Sequence, residues 1–317
     1  MSYPAASSAP AVTVLMAVFN GMPYLRAAVD SVLAQTFRDF EFLIVNDGSA
    51  DGSAALLHEA AQRDPRVRVI DRENRGFVAS LNEGLAAARG TYIARFDADD
   101  VCLPHRLQAQ VAYLQGHPSC VLVGGYVNLI DGAGRPLWTL RPPVTHAEID
   151  SQHLMGHTSI PHPVATFRRE VALRVGGYNP AFPAGQDLDL WLRLAEVGEL
   201  HNLPEPLIQY RQHHRSISST RADVQMEAMR EGCRQAWTRR KIQGNFEMET
   251  HWRPSRDRQS RLDYTLSTGW CAFMVGHRRT AVVYGAKAVR LRPTSLHAWK
   301  LFACALGKRR RGSDPTD

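Results

Sequence analysis

The sequence predicts an α/β fold built on a mostly parallel sheet with helices packed on its faces. Short apolar runs of strand length alternate with segments of helical spacing through the first hundred residues. Each crossover is long enough to hold a helix, as a parallel pair requires, and its hand should be the usual right-handed one. Three of the runs end in polar turns, at Phe19-Asn20, Asn46-Asp47-Gly48 and Asp97-Ala98-Asp99-Asp100. Parallel strands bring such turns to one edge of the sheet, where ligands of open α/β sheets bind.

Taken in order, Val12 to Val18 is a buried strand stopped by Phe19-Asn20-Gly21. Tyr24 to Gln35 carries Leu25, Ala28, Val29, Val32 and Leu33 at helical spacing. Phe40 to Val45 is a second strand, Ala50 to Arg63 a helix, Val67 to Ile70 a third strand, and Gly76 to Ala88 a helix stopped at Gly90. Thr91 to Arg95 is β-branched or aromatic enough for a buried strand and runs straight into the acidic turn. Beyond it, Pro104 to Leu114 reads as a helix, and Val121 to Leu129 and Pro136 to Leu140 as strands around Asp131-Gly132-Ala133-Gly134. His157 to Phe167 is loop and then strand, Arg169 to Val175 a short helix stopped by Gly176-Gly177, and Asn179 to Gly185 a loop. Asp187 to Glu196 is an amphipathic helix, and Glu205 to Tyr210 a last short strand. From Met226 the chain reads as helical with breaks near Pro254 and Pro293, and Leu266 to Leu306 as an antiparallel helix pair.

The acidic turn is the most informative stretch. Three carboxylates within four positions repel one another, and a divalent cation such as Mg²⁺ or Mn²⁺, which prefers hard oxygen ligands, would relieve that repulsion. A solvated turn in which Asp99 or Asp100 caps the next helix accounts for the same residues, so both readings stand on this stretch alone. Asp187 falls in the first turn of its helix, where the helix dipole favours an acid whatever its role. His213 and His214 close the last strand as a polar loop or as metal ligands.

Composition excludes several classes. The five cysteines form no CxxC or similar pair, which argues against a structural zinc and a disulfide framework and suits a reducing, cytoplasmic compartment. No apolar run approaches the ~20 residues of a spanning helix. Residues 1–10 read as a loose tail without a basic leader. The net charge of +7 is unevenly spread. From Arg230 to Asp317 there are 19 Lys/Arg against 7 Asp/Glu, net +12, while the remainder carries 19 against 24, net −5. A mildly acidic body with a basic C-terminal part points to a polyanionic partner, a membrane surface or a nucleic acid.

From Val12 to about Ser218 the sequence resembles the family-2 glycosyltransferases of the GT-A fold. Val14 to Tyr24 is similar to that family's opening strand, with Ala17 for its proline and Phe19 for its tyrosine. Ser31 to Phe37 matches the first-helix signature, and Asn46-Asp47-Gly48-Ser49 resembles the Asp-Asp-Gly-Ser turn with asparagine first. Asn74-Arg75-Gly76, Asn82 and Arg95 to Asp100 match the approach to the metal motif. Gln186-Asp187-Leu188-Asp189-Leu190-Trp191 resembles Glu-Asp-x-Asp-Leu-Trp with an amide for the first acid, and Tyr210-Arg211-Gln212-His213 the closing Tyr-Arg-x-His.

The resemblance implies a GT-A domain over 11–225, with a nucleotide-sugar half at 11–100 and an acceptor half at 101–225, followed by a basic helical region at 226–317. It implies that Ala17, Phe19, Asn20, Asp47, Asn74, Arg75, Asn82, Arg95, Asp97 and Ala98 line a nucleotide-diphospho-sugar, UDP- or dTDP-linked. Asp47 would hold the base and Asp97 the ribose. Asp99, with His213 as a further ligand, would bind the Mn²⁺ or Mg²⁺ that neutralises the leaving diphosphate. Asp187 would be the general base of an inverting transfer, with Gln186 and Trp191 in support or at the acceptor. The acceptor would be a glycan or a lipid-linked hydroxyl, used in cell-surface polysaccharide or lipopolysaccharide synthesis at the inner face of the cell membrane.

Two other classes compete. A metal-dependent nucleotidyltransferase would more typically carry a Gly-rich basic loop after the first strand, and Phe19-Asn20-Gly21-Met22-Pro23 offers neither extra glycines nor a lysine. A nucleic-acid-binding protein would use the basic C-terminus, but Trp237, Trp252, Trp270 and Trp299 sit at core-like helical spacing, which argues against nucleic acid. The basic helices serve either as a pair docked on the body or as a peripheral contact with anionic membrane.

Overall fold

The protein is described here by a computed structural model covering residues 9–213, 222–248 and 257–307. Most of the tail at 1–10, His214, Trp252, the break at Pro254 and Lys308 to Arg311 lie outside these residues.

The expected alternation is present. Strands β1 (Val12–Val18), β2 (Phe40–Asp47), β3 (Val67–Arg72) and β4 (Tyr92–Arg95) are separated by helices α1 (Leu25–Leu33), α2 (Ser53–Arg63) and α3 (Phe77–Ala87). β1 pairs in parallel with β2 and β4, and β2 with β3. β1 and β2 are buried at every position, as continuous apolar runs covered on both faces should be.

Next come β5 (Val101–Cys102), α4 (Arg106–Gly116), β6 (Cys120–Asp131), β7 (Pro136–Leu140), α5 (His146–Leu154), β8 (Thr166–Arg168), α6 (Arg169–Arg174), α7 (Gln186–Ala195) and β9 (Glu199–Gln212). The sheet order is β3-β2-β1-β4-β8-β6-β9-β5, with β7 pairing β6. β8 is antiparallel to β4 and to β6, and β5 to β9, so the sheet is mixed. β5 follows β4 directly in sequence yet lies beyond three other strands in the sheet. The sheet therefore curls around the acidic turn that joins them.

The chain divides into two compact units. The first holds residues 1–128 and 139–249; the second holds 129–138 and 250–317. Helix α8 (Ala222–Arg240) belongs to the first unit, where Met229, Cys233 and Ala236 bury against Leu188 and Leu192 of α7. The second unit contains α9 (Arg258–Met274), α10 (Arg278–Leu291) and α11 (Leu296–Leu306). It has three helices where the sequence suggests a pair, because Gly276, at φ +87°, ends α9 one turn before α10 begins. Trp237 packs in the first unit as its spacing predicts and donates Nε1–H to Leu154 O. Trp299 does not: it is half exposed.

Sequence reading passes over one element and shortens another. α5 is only weakly amphipathic, but it starts with the capping box Thr145-x-x-Glu148, a legible signal. β9 begins at Glu199 and runs through Pro204 and Pro206, residues that mask a strand by composition.

Gly90 sits where α3 turns into β4, and its N–H is bound by the Thr13 hydroxyl at 2.9 Å. A Cβ there would lie 2.3 Å from Thr13 N and 2.5 Å from Val12 C, which are backbone atoms that cannot swing aside. Gly90→Ala should therefore lower stability by about 1–3 kcal/mol in urea unfolding, the usual cost of overpacking. An unchanged midpoint would show that β1 and the turn are not pinned as described.

Candidate functional site

The parallel ends of β1, β2 and β4 bring Phe19-Asn20, Asn46-Asp47 and the acidic turn to one edge. The loops interlock there. Asn20, at φ +53°, donates its backbone N–H to Ser49 Oγ (3.0 Å), and its side-chain oxygen accepts from Ala50 N (2.9 Å). Gly21 N–H donates to Ser53 Oγ (2.9 Å) and Met22 N–H to Asp51 Oδ2 (2.9 Å). The amides after β1 are thus committed to the start of α2 and form no phosphate cradle, which removes the main requirement of the nucleotidyltransferase reading. Ala17 lies just inside the strand, and the Phe19 ring stands exposed at the rim.

Asp47 is buried and organises the turn after β3. Its Oδ1 accepts from Arg72 Nε and from Arg75 N–H, each at 2.9 Å, and its Oδ2 from Gly76 N–H at 2.9 Å. Asn74 and Arg75 are thereby held at the surface of the crevice. Arg72, which sequence reasoning missed, also donates to Ser80 Oγ (2.8 Å) and pairs with Glu83 at 2.5 Å. It is placed beside Asp47 by the register of β2 on β3, which no local sequence feature shows. Asn82 is committed elsewhere: its amide donates to Tyr178 O (2.7 Å) and its carbonyl accepts from Tyr178 N–H (2.9 Å). That clamp fixes the Gly176-Gly177-Tyr178 turn that leads to α7.

At the acidic turn, Asp97, Asp99 and Asp100 each place a carboxylate oxygen so that all three lie within 4.8 Å of one another. Ala98 lies between them, its Cβ facing Gly21. Burial and the Asp99 charge push Asp97 up to about 6, against the pull of Arg95, whose Nη1 is 2.5 Å from Asp97 Oδ1; Asp187 adds to the push. Asp100 is fully buried and held well above the carboxylate range by burial, then by Asp99 and Asp97. One of its oxygens accepts from Arg211 N–H at 2.7 Å; the other finds no hydrogen-bond partner among the described residues. Asp99 Oδ2 lies 2.8 Å from His213 Nε2, and Arg211 Nε donates to the Asp99 carbonyl at 2.7 Å while stacking over Tyr24.

Buried cations stand behind this cluster. Arg95 is 1% exposed, and Arg106 donates to the Arg95 carbonyl at 2.7 Å from a position of full burial. Arg95 was expected from the sequence as a nucleotide-sugar residue, and Arg106 was not expected at all. Crowded carboxylates with one orphaned oxygen and an adjacent imidazole form a donor set that fits a hard divalent cation, and these residues satisfy that test.

Asp187 occupies the first turn of α7, behind Gly185 in the left-handed region at φ +71°. A Cβ at Gly185 would meet Met229 Cγ of α8 at 2.8 Å, so α8 backs the start of α7 closely. Burial raises Asp187, opposed by the Leu188 N–H, which donates to its Oδ1 at 3.0 Å, and by Arg95. The Asp187 charge also bears on Asp97, which sets the acid of α7 close to the acidic turn. Gln186 is buried beside it. Trp191 is fully buried, donates Nε1–H to Ile160 O at 3.1 Å and packs on His162 and Phe167, which makes it a wall of the core.

The family "Glycosyl transferase family 2" matches residues 13–176. An uncharacterized glycosyltransferase of Haemophilus influenzae is 30% identical over 224 residues, covering 66% of this chain and 68% of that one. The O-antigen biosynthesis glycosyltransferase WbnJ of Escherichia coli is 34% identical over 213 residues, covering 66% and 82%. Three longer Rickettsia relatives are spanned over only 38%, 37% and 33% of their length. Two solved structures share the fold. The mannosyltransferase PcManGT of Pyrobaculum calidifontis in complex with GDP-Man and Mn²⁺ superposes with TM-score 0.57 at 19% identity, covering 93% of this chain and 79% of that one. S. aureus TarS 1–349 in complex with UDP-GlcNAc gives 0.59 at 15% identity, covering 88% and 81%.

Asp99→Ala removes the carboxylate nearest His213 from the cluster. Mn²⁺-dependent binding of nucleoside diphosphate, followed by calorimetry, should weaken at least about tenfold, the effect of losing a charged ligand from such a site. Undiminished metal dependence would take Asp99 out of the metal site.

Proposed function

Because the chain belongs to glycosyl transferase family 2 and is a glycosyltransferase, we propose that it transfers a sugar from a nucleotide-diphospho-sugar to an acceptor hydroxyl with inversion, using Asp187 as base. The observation that carries this reading is the closeness of two acidic groups of different standing. One is a three-carboxylate cluster with an orphaned oxygen; the other is a lone, raised carboxylate at the start of a helix.

Asp97, Asp99 and Asp100, with His213, would hold Mn²⁺ or Mg²⁺. When bound, that cation supplies charge neutralisation for the departing nucleoside diphosphate. The chain's own residues do the rest. Asp47 shapes the turn at Arg75 and Gly76 against which the base would rest, and Arg95 holds Asp97 in place for the ribose. Asp187 accepts the proton of the acceptor hydroxyl. Burial raises its affinity for protons above that of a free carboxylate, which makes it the better base. A single base acting with direct displacement inverts the anomeric centre, and retention by double displacement would need a second carboxylate as nucleophile. Gln186 keeps the shape of the acid that relatives carry there but adds no charge beside Asp187. The base of the donor, UDP- or dTDP-linked on the resemblance, is supported only as a nucleotide: the two structural neighbours hold GDP-Man and UDP-GlcNAc. Cell-surface glycan synthesis is supported by the E. coli relative's role in O-antigen biosynthesis.

In this proposal the second unit rests against an anionic membrane surface at the cytoplasmic face. No described helix is long and apolar enough to cross a membrane. Leu296 is 82% exposed and Trp299 half exposed on α11, near Arg292 and Lys300 in sequence. Apolar anchors amid cations suit an interfacial contact. Sedimentation with anionic liposomes should fall on Trp299→Ala combined with Leu296→Ser, and rise at low salt. Liposome binding indifferent to both would remove this contact.

Asp187→Asn keeps shape and helix-start hydrogen bonding but cannot take a proton. Turnover should fall about 10²–10⁴-fold, with donor and metal binding nearly unchanged. In the parent, the acid limb of the kcat/KM profile should lie above the ordinary carboxylate range. Near-normal turnover by Asp187→Asn would mean that the base is another group.

A further inference from the structure

The surface of the second unit carries an open groove of about 350 Å³, lined by Arg261, Tyr264, Thr265, Lys287, Arg290 and Leu291. Its size is at the lower end of small-molecule sites. Arg261, Tyr264 and Thr265 share one face of α9, and Lys287 and Arg290 lie one turn apart on α10, so three cations converge from two helices. None of the lining residues is an acid. Ion pairs elsewhere in the chain tie arginines to neighbouring carboxylates, as with Arg135 and Asp131, whereas the three lining cations have no such partner among the described residues. Burial, then the charge of Arg135, lowers the Lys287 ammonium, with Asp131 opposing, so the proton is already under repulsion there. Lys287 Nζ rests 4.6 Å above the Tyr284 ring.

All three cations are exposed, so they remain free to meet a ligand from solvent. An anion seated among them would relieve their mutual repulsion. Two guanidinium groups and an ammonium match the oxygens of a phosphate, which arginine binds in bidentate fashion and lysine as a point charge. The Tyr264 ring and the Leu291 side chain give the same groove an apolar wall, and its volume exceeds what a bare phosphate would fill.

We infer that this groove is a second ligand site, separate from the acidic crevice, that takes a phosphate group borne on a larger organic body. That body is either a soluble organic phosphate or the phosphate headgroup of a lipid. The site is far from the catalytic residues in sequence and its proof does not depend on the transfer reaction. Occupancy would make the second unit a sensor or tether for phosphate chemistry and not a passive appendage.

The test uses the full chain in EDTA, so that cation-dependent binding at the acidic turn is suppressed. Pyrophosphate is titrated by calorimetry into the parent, into Arg261→Ala with Arg290→Ala, and into Asp99→Ala. Co-sedimentation is measured in parallel with phosphatidylcholine vesicles containing phosphatidic acid, with and without pyrophosphate. The double variant, its fold checked by circular dichroism, should lose at least about tenfold in affinity while Asp99→Ala binds as the parent does. Lys287→Ala alone should show a smaller loss, which guards against a folding artefact. Vesicle binding that pyrophosphate displaces assigns a lipid headgroup; pyrophosphate binding without vesicle binding assigns a soluble phosphate. Absence of binding to both probes, binding unaffected by the double variant, or vesicle binding that pyrophosphate cannot displace would overturn the inference.

Discussion

The structure depends on how the chain manages negative charge at the end of β4. Asp97, Asp99 and Asp100 stand together at the mouth of a buried strand, and Asp100 is wholly removed from water. An uncompensated buried carboxylate is among the most costly groups a fold can contain. The compensation comes from far along the chain. Arg211 N–H reaches Asp100 at 2.7 Å across 111 residues, and Arg211 and His213 secure Asp99. The sheet curls because β5 and β9 must pair at this point for those contacts to exist. Arg95 and Arg106 supply positive charge from below. What remains unbalanced among the described residues, one orphaned oxygen among three acids, is the part a bound cation would meet.

The acceptor side is built on a different principle. Asp187 is not surrounded by compensating cations; it is set at a helix start and shielded by packing. Gly185 admits Met229 of α8 against the first turn of α7, and Asn82 grips the Tyr178 backbone from α3. The proposed base is therefore positioned by rigid elements on two sides, which limits how far its carboxylate can move from the acidic turn. His162 and Tyr178, bonded at 2.9 Å, fill the floor beneath, and burial followed by the Arg95 charge holds that histidine neutral. Separation of the two acids into a charge-stabilising cluster and a shielded base is the arrangement expected when one site must both carry away a diphosphate and remove a proton.

The parallel half was legible because its signals are local. Buried parallel strands read as continuous apolar runs, and β1 begins and ends at the residues the sequence indicates. The acidic turn was legible as chemistry because folding alone offers no reason for three adjoining acids. What escaped was non-local. Nothing near Asp47 announces that Arg72 will occupy it, and nothing near Asp100 announces Arg211. α5 was passed over because its hydrophobic spacing is weak although its capping box is plain. β9 was shortened because Pro204 and Pro206 argue against a strand when the strand is assumed to be central. Asn82 was read as a ligand-facing amide, while in the structure both ends of its amide serve the Tyr178 turn. The groove between α9 and α10 was invisible as well, since which faces of two helices come side by side is not a local property of either.

The central claim is that the acidic turn and Asp187 together split a nucleotide-diphospho-sugar at its anomeric bond. The direct measurement is product analysis: the purified chain is incubated with a panel of nucleotide-sugars and Mn²⁺, and the nucleotide and phosphate products are separated. The account predicts slow release of nucleoside diphosphate from at least one donor, abolished by EDTA and restored by added Mn²⁺. Release of nucleoside monophosphate with a sugar phosphate, or cleavage indifferent to EDTA, would contradict it.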